Sequence, residues 1–355
     1  VTREALSFLE EHHSRTPDNP WFLCASYSRP HSPYTAPGRY IRRYRDKLPP
    51  LALPPDYKQR MDPFSQRIYD GEPGRDLTQV ESLRAREAYY ACVDFVDDCI
   101  GDLLDGLERD GLLENTVIVY TSDHGDMAGI QGMWGKCVPH DPSIGVPLLM
   151  TGPGITPGHR HVESPVSLMD LFPTLCAVTG LPVPEGLDGM DLSALLIDSD
   201  APSPRDYATS TYMIYAVRVK GGWTLPEHEP CAAMRTVREK DWKYVEIERG
   251  DPILFDLKND PGETKNLAAL PAYAARCASM RARVFDGFSW EDAREQLARD
   301  RTRVASFASG VKPTVPNQYM LPDGRIFDAE ASLYDARWLH LPSVHGGGII
   351  PQQFG

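Results

Sequence analysis

Thr116-Val117-Ile118-Val119-Tyr120-Thr121-Ser122-Asp123-His124-Gly125-Asp126 is the stretch on which the reading of the chain turns. Its first half is a β-branched, uncharged run, typical of a central parallel strand buried on both faces. Its second half places Asp, His, Gly and Asp directly after that strand. In open α/β sheets, ligands gather at the carboxyl ends of strands, where side chains from several loops converge. Asp123 and His124 supply an oxygen and a nitrogen donor, and Gly125 lets the backbone turn closely, so the pair reads as half of a metal site. Taken alone, the same pentapeptide also fits an Asp–His pair capping the next helix.

Downstream lies Gly132-Met133-Trp134-Gly135-Lys136, a lysine in an apolar and aromatic setting. Its point charge suits a tetrahedral oxyanion held near a metal; the alternative is a surface lysine with a packed stem. A second strand-like run is Val146-Pro147-Leu148-Leu149-Met150. Upstream, Trp21 to Tyr27 reads as a buried strand leading into Pro30-His31-Ser32-Pro33. A His between two prolines has little backbone freedom, which serves a group that must meet a departing oxygen; a plain loop residue is the other reading. The Pro- and Arg-rich stretch to about Arg75 is expected to be a long functional loop.

Thr78-x-x-Glu81 resembles a capping box and opens the most periodic segment, with Cys92, Phe95, Val96, Cys99, Ile100, Leu103 and Leu107 in one apolar stripe. Residues 167–179 read as helix again. This alternation to about residue 198 implies an α/β fold, a sheet flanked by helices. Short strand-like runs over 207–257 then imply a small antiparallel sheet, followed by an Ala- and Arg-rich helix over roughly 270–300. The expected organisation is a catalytic α/β portion over 1–198, a small α+β subdomain over 199–300 and an extended tail over 301–355. Tyr319, Leu321, Phe327, Leu333, Tyr334, Trp338 and Leu339 in that tail need cover, from the same subunit or from a neighbour in a homo-oligomer.

A formal net charge of −13 argues against nucleic acid as a partner, and no apolar run is long enough to span a bilayer. Seven cysteines, an odd number without a C-x-x-C pair, suggest neither a disulfide framework nor a thiolate zinc site, which favours a soluble, cytoplasmic setting. Val1 to Glu11 is already helical in pattern, with no initiator Met, signal peptide or leading strand before it. The expectation is a chain that begins partway through a fold.

Together these pieces resemble sulfatases of the alkaline phosphatase superfamily. The resemblance rests on Pro20-Trp-Phe-Leu with Pro30-His31-x-Pro33-Tyr34, on Thr121 to Asp126 with Gly-x-Trp-Gly-Lys136, and on Pro142-Ser143-x-x-Val146-Pro147-Leu148 with Gly152-Pro153-Gly154. It continues through Pro165-Val166-Ser167-x-x-Asp170-Leu171-Phe172-Pro173-Thr174-Leu175, then Met234-Arg235-Thr236 and Trp242-Lys243-Tyr244. Leu254-Phe255-Asp256-Leu257-x-x-Asp260-Pro261-x-Glu263-x-x-Asn266-Leu267 completes it, in family order to about residue 270. It implies an alkaline phosphatase-like mixed sheet flanked by helices, with a smaller C-terminal antiparallel sheet plus helix. It implies Asp123 and His124 as ligands of one divalent metal, and Lys136 and His31 as groups that hold the sulfate and its bridging oxygen. Calcium is favoured and manganese is the second choice, since imidazole suits the softer ion better. The Asp-His pairing is similar to the iduronate-sulfatase, choline-sulfatase and phosphonate-hydrolase branches.

The chain also departs from the pattern. The family nucleophile is a formylglycine made from Cys or Ser in C/S-x-P-x-R, and two further metal-binding aspartates lie near the family's amino terminus; no such motif stands in this sequence. Cys137-Val138-Pro139 is followed by His140-Asp141 rather than Arg, and Thr35-Ala36-Pro37-Gly38-Arg39 has Thr in the wrong loop. Gly145 stands where many relatives have Arg, and His140 faces substrate or serves the loop. The implied activity is hydrolysis of a small-molecule or saccharide sulfate ester, with the 355-residue chain inactive alone. The alternatives are a phosphonate monoester or phosphodiester hydrolase of the same superfamily, or a non-catalytic anion-binding relative.

Overall fold

The computed structural model of the protein describes residues 1–51, 53, 56–71, 77–158, 160–214, 217–219, 222–224, 232–310, 318–320 and 326–328. Two compact units emerge: Val1–Thr2 with Phe22–Asp286, and Arg3–Trp21 with Gly287–Gly355. Helix α1 (Thr2–Arg15) opens the chain, as its pattern predicts, and buries Ala5 and Leu9.

In the larger unit the stretch expected to be a long loop contains three short helices, α2 (Gly38–Tyr44), α3 (Tyr57–Arg60) and α4 (Pro63–Gly71). Punctuation by Pro shortens helices without forbidding them, because Pro is tolerated in the first turn, and Pro37 and Pro63 stand at two of these starts. Helix α5 (Gln79–Arg109) begins at a true capping box. Thr78 accepts the Glu81 amide, and the Glu81 side chain accepts the Thr78 amide. Its expected stripe is buried or half-buried throughout, and Tyr40 of α2 donates to Asp98 of α5 at 2.7 Å.

Strand β1 (Ile118–Thr121) departs from expectation. It pairs antiparallel with β2 (Leu148–Thr151), which follows α6 (Asp141–Ile144), and Tyr120 lies opposite Leu149. An apolar β-branched run encodes burial, not direction; direction is set by the connection. Here residues 122–147 return the chain beside β1 without a crossover helix long enough to reverse it. The strand is also less buried than expected, since Tyr120 is exposed. Residues 21–27 alternate half-buried with exposed, yet they pair with no strand among the described residues.

A second capping box, Ser167 with Asp170, leads into α7 (Leu171–Val178), and α8 (Ser193–Ile197) precedes the change of style. Strand β3 (Ala208–Ile214), the small hairpin of β4 (Val217–Val219) and β5 (Gly222–Thr224), then β6 (Ala232–Arg238), β7 (Trp242–Ile247) and β8 (Ile253–Asp256) follow. β3, β6, β7 and β8 form one antiparallel sheet in that order, as the short runs predict. Period-two alternation splits it into two packed faces. Met234, Val245, Ile247, Ile253 and Phe255 pack with Phe64 and Ile68 of α4. Val237, Tyr244 and Leu254 pack with Met280 and Val284 of α9 (Ala274–Val284).

The helix expected over 270–300 is two helices. α9 ends before Gly287 (φ +64°), a left-handed residue that stops the first helix, and Ser289 caps α10 (Trp290–Gly310) by accepting the Asp292 amide at 3.0 Å. In the tail β9 (Gln318–Met320) pairs with β10 (Ile326–Asp328). Leu321, Leu333, Tyr334, Trp338 and Leu339, and the side chains of Tyr319 and Phe327, lie outside the described residues. No helix among the described residues is long and apolar enough to cross a membrane.

Met280 is fully buried, and Met169 is 46% exposed. Met280→Ala is expected to lower unfolding stability by about 2–5 kcal/mol, and Met169→Ala to stay within about 0.5 kcal/mol, both read from urea midpoints.

Candidate functional site

Three of the four residues singled out in the sequence converge on one point. Lys136 Nζ lies 2.6 Å from His124 Nε2 and 3.1 Å from His31 Nε2. Asp123 Oδ2 lies 3.5 Å from the same His124 nitrogen, so the fourth stands beside them. Each imidazole turns its Nδ1 to a backbone oxygen, His124 to Gly125 O at 2.8 Å and His31 to Ser32 O at 2.7 Å. A carbonyl only accepts, so Nδ1 carries the proton in both rings and both Nε2 lone pairs face the ammonium. His31 and Asp123 are exposed, and His124 and Lys136 are half-buried, so the cluster opens to solvent.

The loops that bring these groups together are fastened by Asp126. Its Oδ2 accepts the Tyr34 hydroxyl at 2.8 Å, and its Oδ1 accepts the amides of Ala128 at 2.8 Å and Gly135 at 3.0 Å. One carboxylate therefore ties the loop carrying His31 to the loop carrying Lys136. Arg29 braces the first loop, donating to His31 O at 3.0 Å and to Thr35 Oγ1 at 2.6 Å. Gly125 is required by crowding: a Cβ there would meet the Pro142 carbonyl oxygen at 2.1 Å, and its amide donates to Ser143 O at 2.9 Å.

Behind the lysine loop lies an ion cluster in which Lys243 and Glu263 are buried and Asp141 is half-buried. Lys243 on β7 shares the face of Val245 and Ile247, which points its ammonium toward residues 139–141. It donates to Pro139 O at 3.0 Å and pairs with the carboxylates of Glu263 and Asp141. Glu263 Oε2 accepts the Asp141 amide at 2.6 Å, and burial lifts its carboxyl above the ordinary range while the Lys243 charge opposes that rise. His140 is buried against the Phe255 ring, and burial together with the Lys243 charge drives its imidazole down to about 3. It is therefore neutral at physiological pH, and its burial sets it apart from the solvent-open cluster.

Asp123 and His124 offer one anionic oxygen donor and one imidazole nitrogen, a donor set that fits part of a divalent-ion shell. Calcium takes six to eight oxygen-type ligands, and among the described residues no group of three or more His, Cys, Asp and Glu side chains is placed to hold a metal.

Residues 1–181 match the family described as Sulfatase, and residues 129–287 match the C-terminal region of N-sulphoglucosamine sulphohydrolase. The chain belongs to the sulfatase family. It is 36% identical to a choline-sulfatase of Rhizobium meliloti over 71% of this chain and 47% of that protein. It is 29% identical to an arylsulfatase of Clostridium perfringens, over 79% of this chain and 55% of that one. A solved phosphonate monoester hydrolase from Silicibacter pomeroyi matches with a TM-score of 0.66 and 28% identity, covering 91% of this chain and 63% of that one. The chain spans about half the length of the curated sulfatases it matches. The fold is the alkaline phosphatase-like one that its motifs imply.

Asp126, Asp141, Lys243 and Glu263 went unassigned in the sequence. Asp126 stood in the quoted motif, and its short reach from a Gly marks a turn-binding carboxylate. Nothing local marks Lys243 and Glu263 as partners; only the lysine's place in an otherwise apolar strand face hints at a buried charge. For Asp126→Ala, the amides of Ala128 and Gly135 are expected to exchange about 10- to 100-fold faster, measured by hydrogen exchange.

Proposed function

We propose that this sulfatase-family chain forms the metal-, lysine- and histidine-bearing part of a site that hydrolyses a sulfate ester. The observation that carries this reading is the Lys136 ammonium set 2.6 Å from His124 Nε2 and 3.1 Å from His31 Nε2. Asp123 and His124 would hold one divalent ion, calcium by preference and manganese as the second choice, which when bound supplies Lewis-acid stabilisation of charge on the sulfuryl oxygens. An imidazole nitrogen has one lone pair, so His124 Nε2 serves either the ammonium or the ion. Once that lone pair is committed, Lys136 is free to turn its charge onto the anion. His31 attends the ester oxygen: as the attacking oxygen bonds to sulfur the ester sulfur–oxygen bond breaks, and the proton that the attacking hydroxyl gives up ends on the departing oxygen, which leaves as the alcohol. The attacking oxygen comes from a residue outside this chain, a hydrated formylglycine in keeping with the family resemblance, and the substrate is a small-molecule or saccharide sulfate.

A second reading has a specific observation in its favour: the likeness to the phosphonate monoester hydrolase extends over 91% of this chain. A tetrahedral oxyanion of phosphorus suits the same ammonium and imidazoles. Rates of the full-length protein on 4-nitrophenyl sulfate and on a phenyl phosphonate separate the two, and a larger phosphonate rate overturns the sulfatase assignment. In that protein Lys136→Ala is expected to lower kcat/KM by about 10²–10³-fold; an unchanged value sinks the role given to the lysine. The 355-residue chain alone is expected to turn over no aryl sulfate, and measurable turnover by the pure chain would show that it holds its own nucleophile.

A further inference from the structure

The lysine loop is held in a costly shape. Ala128 (φ +45°), Gln131 (φ +52°) and Cys137 (φ +76°) are non-glycine residues in the left-handed region, the last directly after Lys136. Such residues persist only where the surroundings over-determine them. Asp126 holds the amides of Ala128 and Gly135, and two further sets of contacts come from the four-stranded sheet and its following turn. Gln131 donates through its side-chain amide to Gly262 O at 2.7 Å and to Glu263 O at 3.1 Å. At the other end of the loop, Lys243 holds Pro139 O and the Asp141 carboxylate, and Glu263 holds the Asp141 amide. Lys243 and Glu263 are both buried, so their pairing is made in a low-dielectric interior, where loss of one partner leaves the other uncompensated, while Asp141 is half-buried at the cluster's edge.

We propose that Lys243, with Glu263 and Asp141, is a positioning device that acts through the lysine loop to fix where Lys136 stands beside His31 and His124, which in this structure sets its ammonium against both imidazoles. The role of Lys136 in turnover rests on the function proposed above; the positioning itself does not. Lys243 touches neither imidazole of the cluster, and its influence passes along Pro139, Val138 and the strained Cys137. A misplacement of the order of 1 Å at a reacting group costs about 100-fold in rate, so a sheet built for stability becomes part of the site's precision.

The test reads the imidazole nitrogens of the 355-residue chain by NMR at fixed pH in metal-free buffer. Lys136→Ala sets the reference, displacing the Nε2 resonances of His31 and His124. Lys243→Met and the isosteric Glu263→Gln are expected to shift the same two resonances in the same direction. The His140 resonance, which lies beside Lys243, moves in Lys243→Met whether or not the inference holds, and so reports that the cluster has been broken. If His140 moves while His31 and His124 keep their wild-type positions, the inference is overturned. Loss of the folded spectrum in both variants overturns it too, because the cluster then holds the fold rather than the loop. Failure of the functional reading shows elsewhere, as an unchanged kcat/KM for Lys136→Ala in the full-length protein.

Discussion

An ammonium group 2.6 Å from one imidazole nitrogen and 3.1 Å from another is a contact that three separate stretches of backbone must cooperate to make. Residues 29–35 bring His31, residues 122–126 bring His124, and residues 128–141 bring Lys136. Each ring is first oriented by its own backbone, through Nδ1 and a carbonyl, so that only Nε2 is offered to the centre. A lysine side chain is flexible and strongly hydrated, and it holds such a position only if the loop beneath it is rigid.

That rigidity has two sources of different kind. Asp126 works at the surface of the site, gathering a tyrosine hydroxyl and two amides onto one carboxylate. Charge-assisted bonds of this sort are stronger than neutral ones and fix geometry as well as energy. Lys243 and Glu263 work from beneath, where desolvation makes an ion pair a poor source of net stability but a stringent one of arrangement. A buried ammonium must find oxygen atoms, and besides Glu263 the oxygens it finds are on Pro139 and Asp141, just past Lys136. The sheet and the site are thereby one mechanical object.

The order of construction also explains His140. It sits in the same segment as Asp141 and looks in sequence like a group for substrate, yet it is packed on Phe255 and kept neutral by burial and by the Lys243 charge. Exposure and partners separate His31, which opens to solvent, from His140, which does not.

The sequence by itself determined the pieces that depend on local chemistry. The capping box at Thr78, the helical stretch from Ser167, the apolar stripe of α5, the alternating strands of the four-stranded sheet and the Asp123-His124-Gly125-Asp126 motif are all legible from spacing and residue type. The tertiary structure alone decided what depends on connection and contact across distance. The antiparallel sense of β1 and β2, the lack of strand pairing over residues 21–27, and the helices within residues 35–75 belong there. So does the buried partnership of Lys243 with Glu263 and Asp141. The physical reason is that caps, turns and periodic faces are satisfied by neighbours in the chain, whereas a strand's direction and a buried charge's partner are fixed only when distant segments compete for the same space.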